Sequence, residues 1–571
     1  MRISTLLLSS GLWLGSLAPA IAAAPPASVL VEPTAVHKYL IYFRDKANSP
    51  YSVAQPQAYL SARAIQRRTR QGIAVLPRDL PVTPSYVAQV KAVPGVQLWY
   101  TSRWFNAAVV VCDESVLPAL NALPFVRSSQ VLNLTETSPS GIKPEPEEVV
   151  ASATATTTEA AVPADYGNAY VQANMIGAVR MHDAGFRGEG IQIAVFDGGF
   201  PGVNTAAPFA PLRTENRIAS TFNFVEKNTS VYVRSNHGTN TLSTMGASQT
   251  SLFIGTAPKA TYRLFITEDT NSETPIEEAN WLIAAEYADS AGVDVISSSL
   301  GYTTFDNTAQ SHTYAEMNGR TTIVSRAATV AARVGMLVCN SAGNDGAGTW
   351  RYIGAPADAD SIISVGSVTA ALVRSSFSSY GPTADGRIKP DLAALGSSAA
   401  VITPTGASAR SSGTSFACPI LAGMAAGFWQ ANPRLTAQQV ISFLKRSGTQ
   451  ALAPDNSLGY GIPDFVRAWN LANPNIPLAT RARASAQPQL LVYPNPSHDE
   501  ELALLLPTEL RGQALQVRIY DVRGALVAQQ QLKATAASSV ALRPGPLTQG
   551  VYNCTVQAEN SAPRTVRLVK F

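Results

Sequence analysis

"IQIAVFDGGF", residues 191–200, is apolar at nearly every position as far as Phe196 and then stops on Asp197 and two glycines. Strict alternation would mark a strand with one wet face, whereas a run this uniformly apolar fits a parallel strand covered on both sides. Runs of the same kind recur further along: "TYRLFI" (261–266), "VDVIS" (293–297), "GMLVC" (335–339) and "SIISVGSV" (361–368), with helical stretches between them. That rhythm predicts a three-layer α/β domain built on a parallel sheet. Ligands of such sheets collect beyond the carboxyl ends of the strands, so the polar residues that follow each run are the ones to inspect.

Asp197 follows the first run directly, Ser298-Ser299-Leu300-Gly301 follow "VDVIS", and Asn340-Ser341-Ala342-Gly343-Asn344 follow "GMLVC". In "SNHGTNTLSTMGA" (235–247) His237 stands where a helix begins, and in "SSGTSFACP" (411–419) Ser415 stands at the mouth of another. A neutral serine hydroxyl is a poor nucleophile and needs a neighbouring base that titrates near the working pH, for which imidazole is suited. The chain has five histidines. His37 and His498 belong to flanking regions, His182 reads as part of a surface helix and His312 as part of a loop-like insertion, which leaves His237 as the candidate base. Each residue alone has a plainer reading: Ser415 as a helix cap, Asp197 as a strand-end cap, Asn344 as a left-handed turn. It is their joint occurrence, in order and in one domain, that points to nucleophilic catalysis.

"FDGG", "HGT" at 237–239, "SLG" at 299–301, "AGN" at 342–344 and "GTSFACP" at 413–419, with "KPD" at 389–391 and "GYGIPD" at 459–464, resemble the subtilisin-like serine proteases. That family orders its triad Asp, His, Ser along the chain. The resemblance spans residues 166–472 and implies a subtilisin-like catalytic domain with Asp197, His237 and Ser415 as catalytic residues. It nominates the Asn344 amide and the Ser415 backbone N–H as donors to the oxyanion. It further implies that Ser299, Leu300 and Gly301 on one side, and Ala342 and Gly343 on the other, hold an extended peptide by main-chain bonds. Gly354 is placed at the floor of the pocket for the residue before the scissile bond, leaving room for an apolar or aromatic side chain. The chain departs from the family pattern at Gly198, where Ser or Thr is usual, at "HGTNTLS" and at "KPDLAALG". Calcium sites are frequent in the family, but no ligand set matches here, so no metal is assigned and no cofactor is required.

The remainder frames that domain. With 571 residues, 46% hydrophobic and 14% charged, the chain is long enough for several folded units and far from disordered composition. A net charge of +4, spread evenly, argues against nucleic acid. The densest basic stretch, "RAIQRRTRQ" (63–71), reads as a solvated helix face. Residues 1–22 read as a signal peptide cleaved near Ala22, and no other run is long enough to span a membrane. Four distant cysteines form no disulfide framework: an oxidising compartment permits a bond but the sequence assigns no pair, and most of them read as buried free thiols. Connectors rich in Pro, Ala and Thr, at 137–165 and 473–489, separate residues 23–136, the catalytic domain and residues 490–571. Residues 23–136 suggest a β-α-β-β-α-β sandwich with its first helix at 57–70, and resemble the inhibitor-type propeptide of the family, an intramolecular inhibitor cut away between Thr137 and Tyr166 by the enzyme itself. Residues 490–571, with "YPNP" at 493–496 and "RTVRLVKF" at the end, alternate with period two, suggest an antiparallel β-sandwich and resemble the C-terminal sorting domain read by type IX secretion machinery. The expected protein is a secreted or cell-surface endopeptidase acting on polypeptides. The rival from another class is an exported surface-binding protein that keeps the fold with little turnover. A dinucleotide site fails because Gly198, Gly199 and Gly202 miss the G-x-G-x-x-G spacing, and an α/β-hydrolase elbow fails because Ser415 lacks the second glycine of G-x-S-x-G.

Overall fold

The computed structural model describes residues 36–133 and 165–478 and, a few positions apart, 490–570. The signal peptide at 1–22 and most of both connectors lie outside the described residues. The chain divides into two compact units, one made of residues 1–51 and 80–134, the other of residues 52–79 and 135–571.

In the first unit, strands β1 (Val36–Phe43), β2 (Gln97–Ser102), β3 (Ala107–Asp113) and β4 (Val126–Val131) form an antiparallel sheet in the order β2-β3-β1-β4. Alternate residues Tyr39, Ile41 and Phe43 of β1, with Ala108, Val110 and Cys112 of β3, point to one face and meet Val90, Leu120 and Phe125. The helix that covers this face after β1 is Pro84–Ala92, which contributes Val90, and not the stretch 57–70 expected from the sequence. A helix does form at Ala62–Arg70, but its buried residues are Ala64, Arg67 and Arg68, and it belongs with the second unit. The solvated reading of "RAIQRRTRQ" therefore fails for Arg67 and Arg68, which are 2% and 1% exposed. A polar face buried against opposite charge has the same sequence pattern as one facing water.

The second unit is built on seven parallel strands: β5 (Gln192–Asp197), β6 (Ile218–Asn223), β7 (Thr261–Ile266), β8 (Val295–Ser298), β9 (Leu337–Ser341), β10 (Ile363–Val368) and β11 (Leu392–Leu395). They lie in the order β11-β10-β9-β8-β5-β7-β6. The five strands seen in the sequence are the five inner ones; the two missed are the edges, where "IASTFN" is half exposed and "LAAL" lacks β-branched residues. The pleat sends alternate residues to opposite layers. Ile193 and Val195 join a core with Phe416, Ile420 and Met424 of the helix Thr414–Ala431, while Phe196 meets Trp281 of the helix Ile276–Ala291 with ring centroids 5.2 Å apart. The three-layer architecture follows from that alternation.

His182 is buried, contrary to the surface helix expected. Its Nδ1 lies 2.7 Å from the Tyr166 hydroxyl and its Nε2 lies 3.0 Å from the Thr256 carbonyl oxygen. Burial pushes its pKa down to about 4. A depressed base stabilises the fold fully above its unfolded pKa of about 6.5 and loses that contribution as pH falls toward 4, by about 1.4 kcal/mol per pH unit. His182→Gln keeps a donor and an acceptor without the titration. Thermal melts from pH 7 to pH 4 are expected to fall less steeply for this variant than for the parent; parallel curves would remove His182 from the acid response.

Residues 490–570 form a three-stranded sheet (Leu491–Tyr493, Leu502–Leu505, Ser539–Leu542) and a four-stranded one (Leu515–Tyr520, Leu526–Leu532, Gly550–Ala558, Arg564–Lys570), antiparallel throughout. Leu504, Val517, Ile519, Cys554, Val556 and Leu568 fill the core between them. All four cysteines are buried free thiols, and among the described residues no helix is long and apolar enough to cross a membrane.

Candidate active site

Asp197 is the last residue of β5 and is 1% exposed. Its Oδ1 lies 2.8 Å from His237 Nδ1 and accepts the Gly198 N–H at 2.8 Å; its Oδ2 accepts the Thr241 hydroxyl at 3.0 Å. These bonds account for two departures from the family pattern. A Cβ on Gly198 would lie 3.2 Å from Thr270 and 3.3 Å from Ser235, so the place where the family carries a hydroxyl is crowded here, and Thr241 of "HGTNTLS" supplies one instead. His237 opens the helix His237–Gly246. That helix approaches β5 closely because residue 238 is glycine: a Cβ there would stand 2.2 Å from the Gly199 carbonyl oxygen and 2.9 Å from Asp197 Cβ.

Ser415, 5% exposed, sits in the first turn of the helix Thr414–Ala431, where backbone N–H groups have no intrahelical acceptor. The His237 ring lies with its centroid 5.8 Å from that of Phe416, the next residue, so the imidazole borders the same turn. Ser299 holds that turn by donating its hydroxyl to the Ser415 carbonyl at 2.8 Å. Asn344 Oδ1 accepts both the Thr414 N–H at 2.8 Å and the Thr414 hydroxyl at 2.9 Å, which fixes the side chain and leaves its NH₂ group for another acceptor.

Beside these groups lies a recess of about 300 Å³ lined by Ser299, Leu300 and Gly301 on one wall, Ala342, Gly343 and Asn344 on the other, with Gly354, Thr414 and Ser415. The structure thus brings the sequence-derived candidates for peptide binding together around one cavity. A Cβ on Gly354 would press to 2.9 Å from Thr303 Cγ2. Asp345 also lines this recess, a place that no pattern in the sequence marks. His312 is not part of the site: it pairs with Glu278, and although burial alone would lower its pKa, that bond and the Glu278 charge raise it. Glu268, Glu273 and Glu277 bring carboxylate oxygens within 4.8 Å of one another. Tyr302 donates to Glu268, and the Asp269 N–H to Glu277 at 2.8 Å, so neighbours already bond two of these carboxylates, and no metal is assigned to the cluster.

Comparison with known proteins follows the same division of the chain. A family model described as the peptidase S8 propeptide domain of Bacteroidota matches residues 38–146, one described as the subtilase family matches residues 188–461, and one described as a secretion system C-terminal sorting domain matches residues 491–570. A subtilisin from Bacillus pumilus is 31% identical over 281 residues, covering 48% of this chain and 90% of that protein. Subtilisin NAT from Bacillus subtilis subsp. natto is 30% identical over 293 residues, 50% of this chain and 67% of that protein. The serine protease AprX of Bacillus subtilis (strain 168) is 31% identical over 303 residues, 48% of this chain and 64% of that protein. The sorting domain marks the protein for export to the cell surface or the medium. The chain belongs to the subtilase family, as a serine endopeptidase carrying its own propeptide and a C-terminal sorting domain.

Proposed function

We propose that this peptidase hydrolyses exported or extracellular polypeptides through Asp197, His237 and Ser415 by way of an acyl-enzyme. The observation that supports this reading best is the bond from buried Asp197 to the Nδ1 of His237, with that imidazole beside the helix turn that carries Ser415. The Asp197 carboxylate holds the proton on Nδ1 and leaves Nε2 to take the proton from Ser415 Oγ as it attacks the scissile carbonyl. Asp197 favours the imidazolium so formed without accepting its proton. The negative oxygen of the tetrahedral intermediate is bound by the Asn344 amide and the Ser415 N–H, donors held in place before the reaction starts. His237 then protonates the leaving amine, the acyl-enzyme remains on Ser415, and water activated by the same imidazole releases the product.

The substrate lies extended between Ser299–Gly301 and Ala342–Gly343, and the side chain before the scissile bond enters the recess toward Gly354. The lining mixes small polar residues with Leu300, Ala342 and three glycines, so the recess has room for apolar and aromatic side chains, with Asp345 extending tolerance to basic ones. Digestion of a diverse peptide library by the matured enzyme is expected to show cleavage mainly after Leu, Met, Phe and Tyr; cleavage confined to Lys and Arg would contradict the assignment. The same active site cuts the connector at 137–165 and converts the zymogen. The rival reading, a surface-binding protein with an idle site, is disfavoured because no proton-transfer group is missing.

A further inference from the structure

Residues 52–79 fall inside the propeptide match at 38–146, yet they pack as part of the second unit. The helix Ala62–Arg70 carries the contact. Arg67 pairs with Asp289 and donates to the Val293 carbonyl, and Arg68 bridges Asp79 at 2.8 Å and Asp289 at 2.8 Å. The side chains of these two arginines are 1% and 2% exposed, and those of both aspartates 0%. Arg63 pairs with Asp294 and donates to the carbonyls of Gly190 at 2.7 Å and Gly292 at 2.9 Å. Gln71 clamps two further elements, donating to the Gly335 carbonyl at 2.7 Å and accepting the Ala437 N–H at 2.8 Å.

The position of these contacts matters as much as their number. Asp289 lies in the last turn of the helix Ile276–Ala291 and Gly292 is its cap, so the arginines meet the negative end of that helix. Asp294 immediately precedes β8, whereas Ser299–Gly301 of the recess follow it. The contact is therefore at the amino ends of the strands, across the sheet from Ser415. Planar guanidinium forks suit paired carboxylate and carbonyl acceptors, and a buried pair that loses one partner leaves a charge out of water, so such a surface selects its occupant strictly.

We infer that residues 52–79 are an arginine latch, a docking element of the propeptide that grips the base of the catalytic sheet independently of the active-site recess. It holds the propeptide by contacts separate from those of the recess, so that the lifetime of the cut complex depends on Arg63, Arg67 and Arg68. The surface it occupies fits a helix with arginine at positions i, i+4 and i+5, as Arg63, Arg67 and Arg68 provide. The inference rests on the propeptide assignment and not on the chemistry of Ser415.

The test uses the full chain with Ser415→Ala, to prevent self-digestion, and a recognition sequence for an unrelated protease placed in 137–165. After cutting, the propeptide fragment is expected to co-elute with the catalytic domain in size-exclusion chromatography. With R67Q/R68Q its release after dilution is expected to be about 100-fold faster or more. Immediate separation of the parent fragments, or equal release from parent and variant, would overturn the latch. If R67Q/R68Q does not yield a folded uncut chain by thermal melt, R63Q carries the test, since the Arg63 side chain is 35% exposed and its loss is milder. About tenfold faster release is then expected, and an unchanged rate overturns the proposal. None of these outcomes depends on peptidase activity, which is scored separately on the chain with Ser415 intact.

Discussion

Ser415→Ala is expected to lower kcat by about six orders of magnitude, a size borrowed from a subtilisin because removal of the nucleophile leaves only binding and oxyanion donors to act on a water attack. The geometry bears on why the loss should be so complete. Two hydroxyl residues beside Ser415 are already engaged elsewhere: Thr414 donates to Asn344 and Ser299 donates to the Ser415 carbonyl. Neither is aimed to replace the missing Oγ. The same variant is expected to accumulate with the connector at 137–165 intact when produced in a host without other proteases acting on it, as read by intact-mass measurement. Normal maturation of Ser415→Ala would separate processing from this active site and assign it to another enzyme.

Asp197→Asn is expected to cost about four orders of magnitude in kcat with little change in KM or in thermal stability. The substitution preserves volume at a position that is 1% exposed and adds an NH₂ group next to acceptors and donors arranged for a carboxylate. Oδ1 of the native residue takes the Gly198 N–H and faces His237 Nδ1, and Oδ2 takes the Thr241 hydroxyl. An amide nitrogen on the Oδ1 side would oppose the Nδ1 proton and favour the imidazole tautomer that carries its proton on Nε2, where the base must be empty. An amide nitrogen on the Oδ2 side would meet a hydroxyl able to rotate and accept, but the negative charge that favours the imidazolium would still be gone. Steady-state kinetics on a chromogenic peptide distinguish these losses from misfolding, because KM and the melting temperature are expected to hold while kcat falls.

What could be read from the sequence was whatever chemistry restricts to a few residue types at strand and helix ends. Asp197, His237, Asn344 and Ser415 stand out as candidates because a parallel sheet gathers its carboxyl ends and because few side chains serve as nucleophile, base or oxyanion donor. The inner strands were legible because burial on both faces removes polar residues from them. Elements whose character depends on a distant partner were not. Arg67 and Arg68 looked like a wetted helix face because their neutralising Asp289 lies more than 200 residues away, and helix periodicity carries no information about that partner. His182 looked exposed for the same reason: Tyr166 and Thr256, which satisfy its ring, come from separate segments. The helix over the first unit's sheet was misplaced because Pro84–Ala92 buries little beyond Val90 and so shows a weak apolar period. Asp345 escaped notice because a lone acid after "AGN" has no signature until the wall opposite is in place.

Catalysis here depends on one chemical state, a serine hydroxyl made nucleophilic by an imidazole that a buried carboxylate orients. Labelling of the matured enzyme with a fluorophosphonate, followed by peptide mapping, tests that state directly. The expected result is one adduct on Ser415, formed rapidly by the parent and strongly slowed in Asp197→Asn, each matured by an added protease that cuts the connector at 137–165. A matured, folded enzyme that takes up no label at Ser415, or takes it up equally without Asp197, would contradict the account.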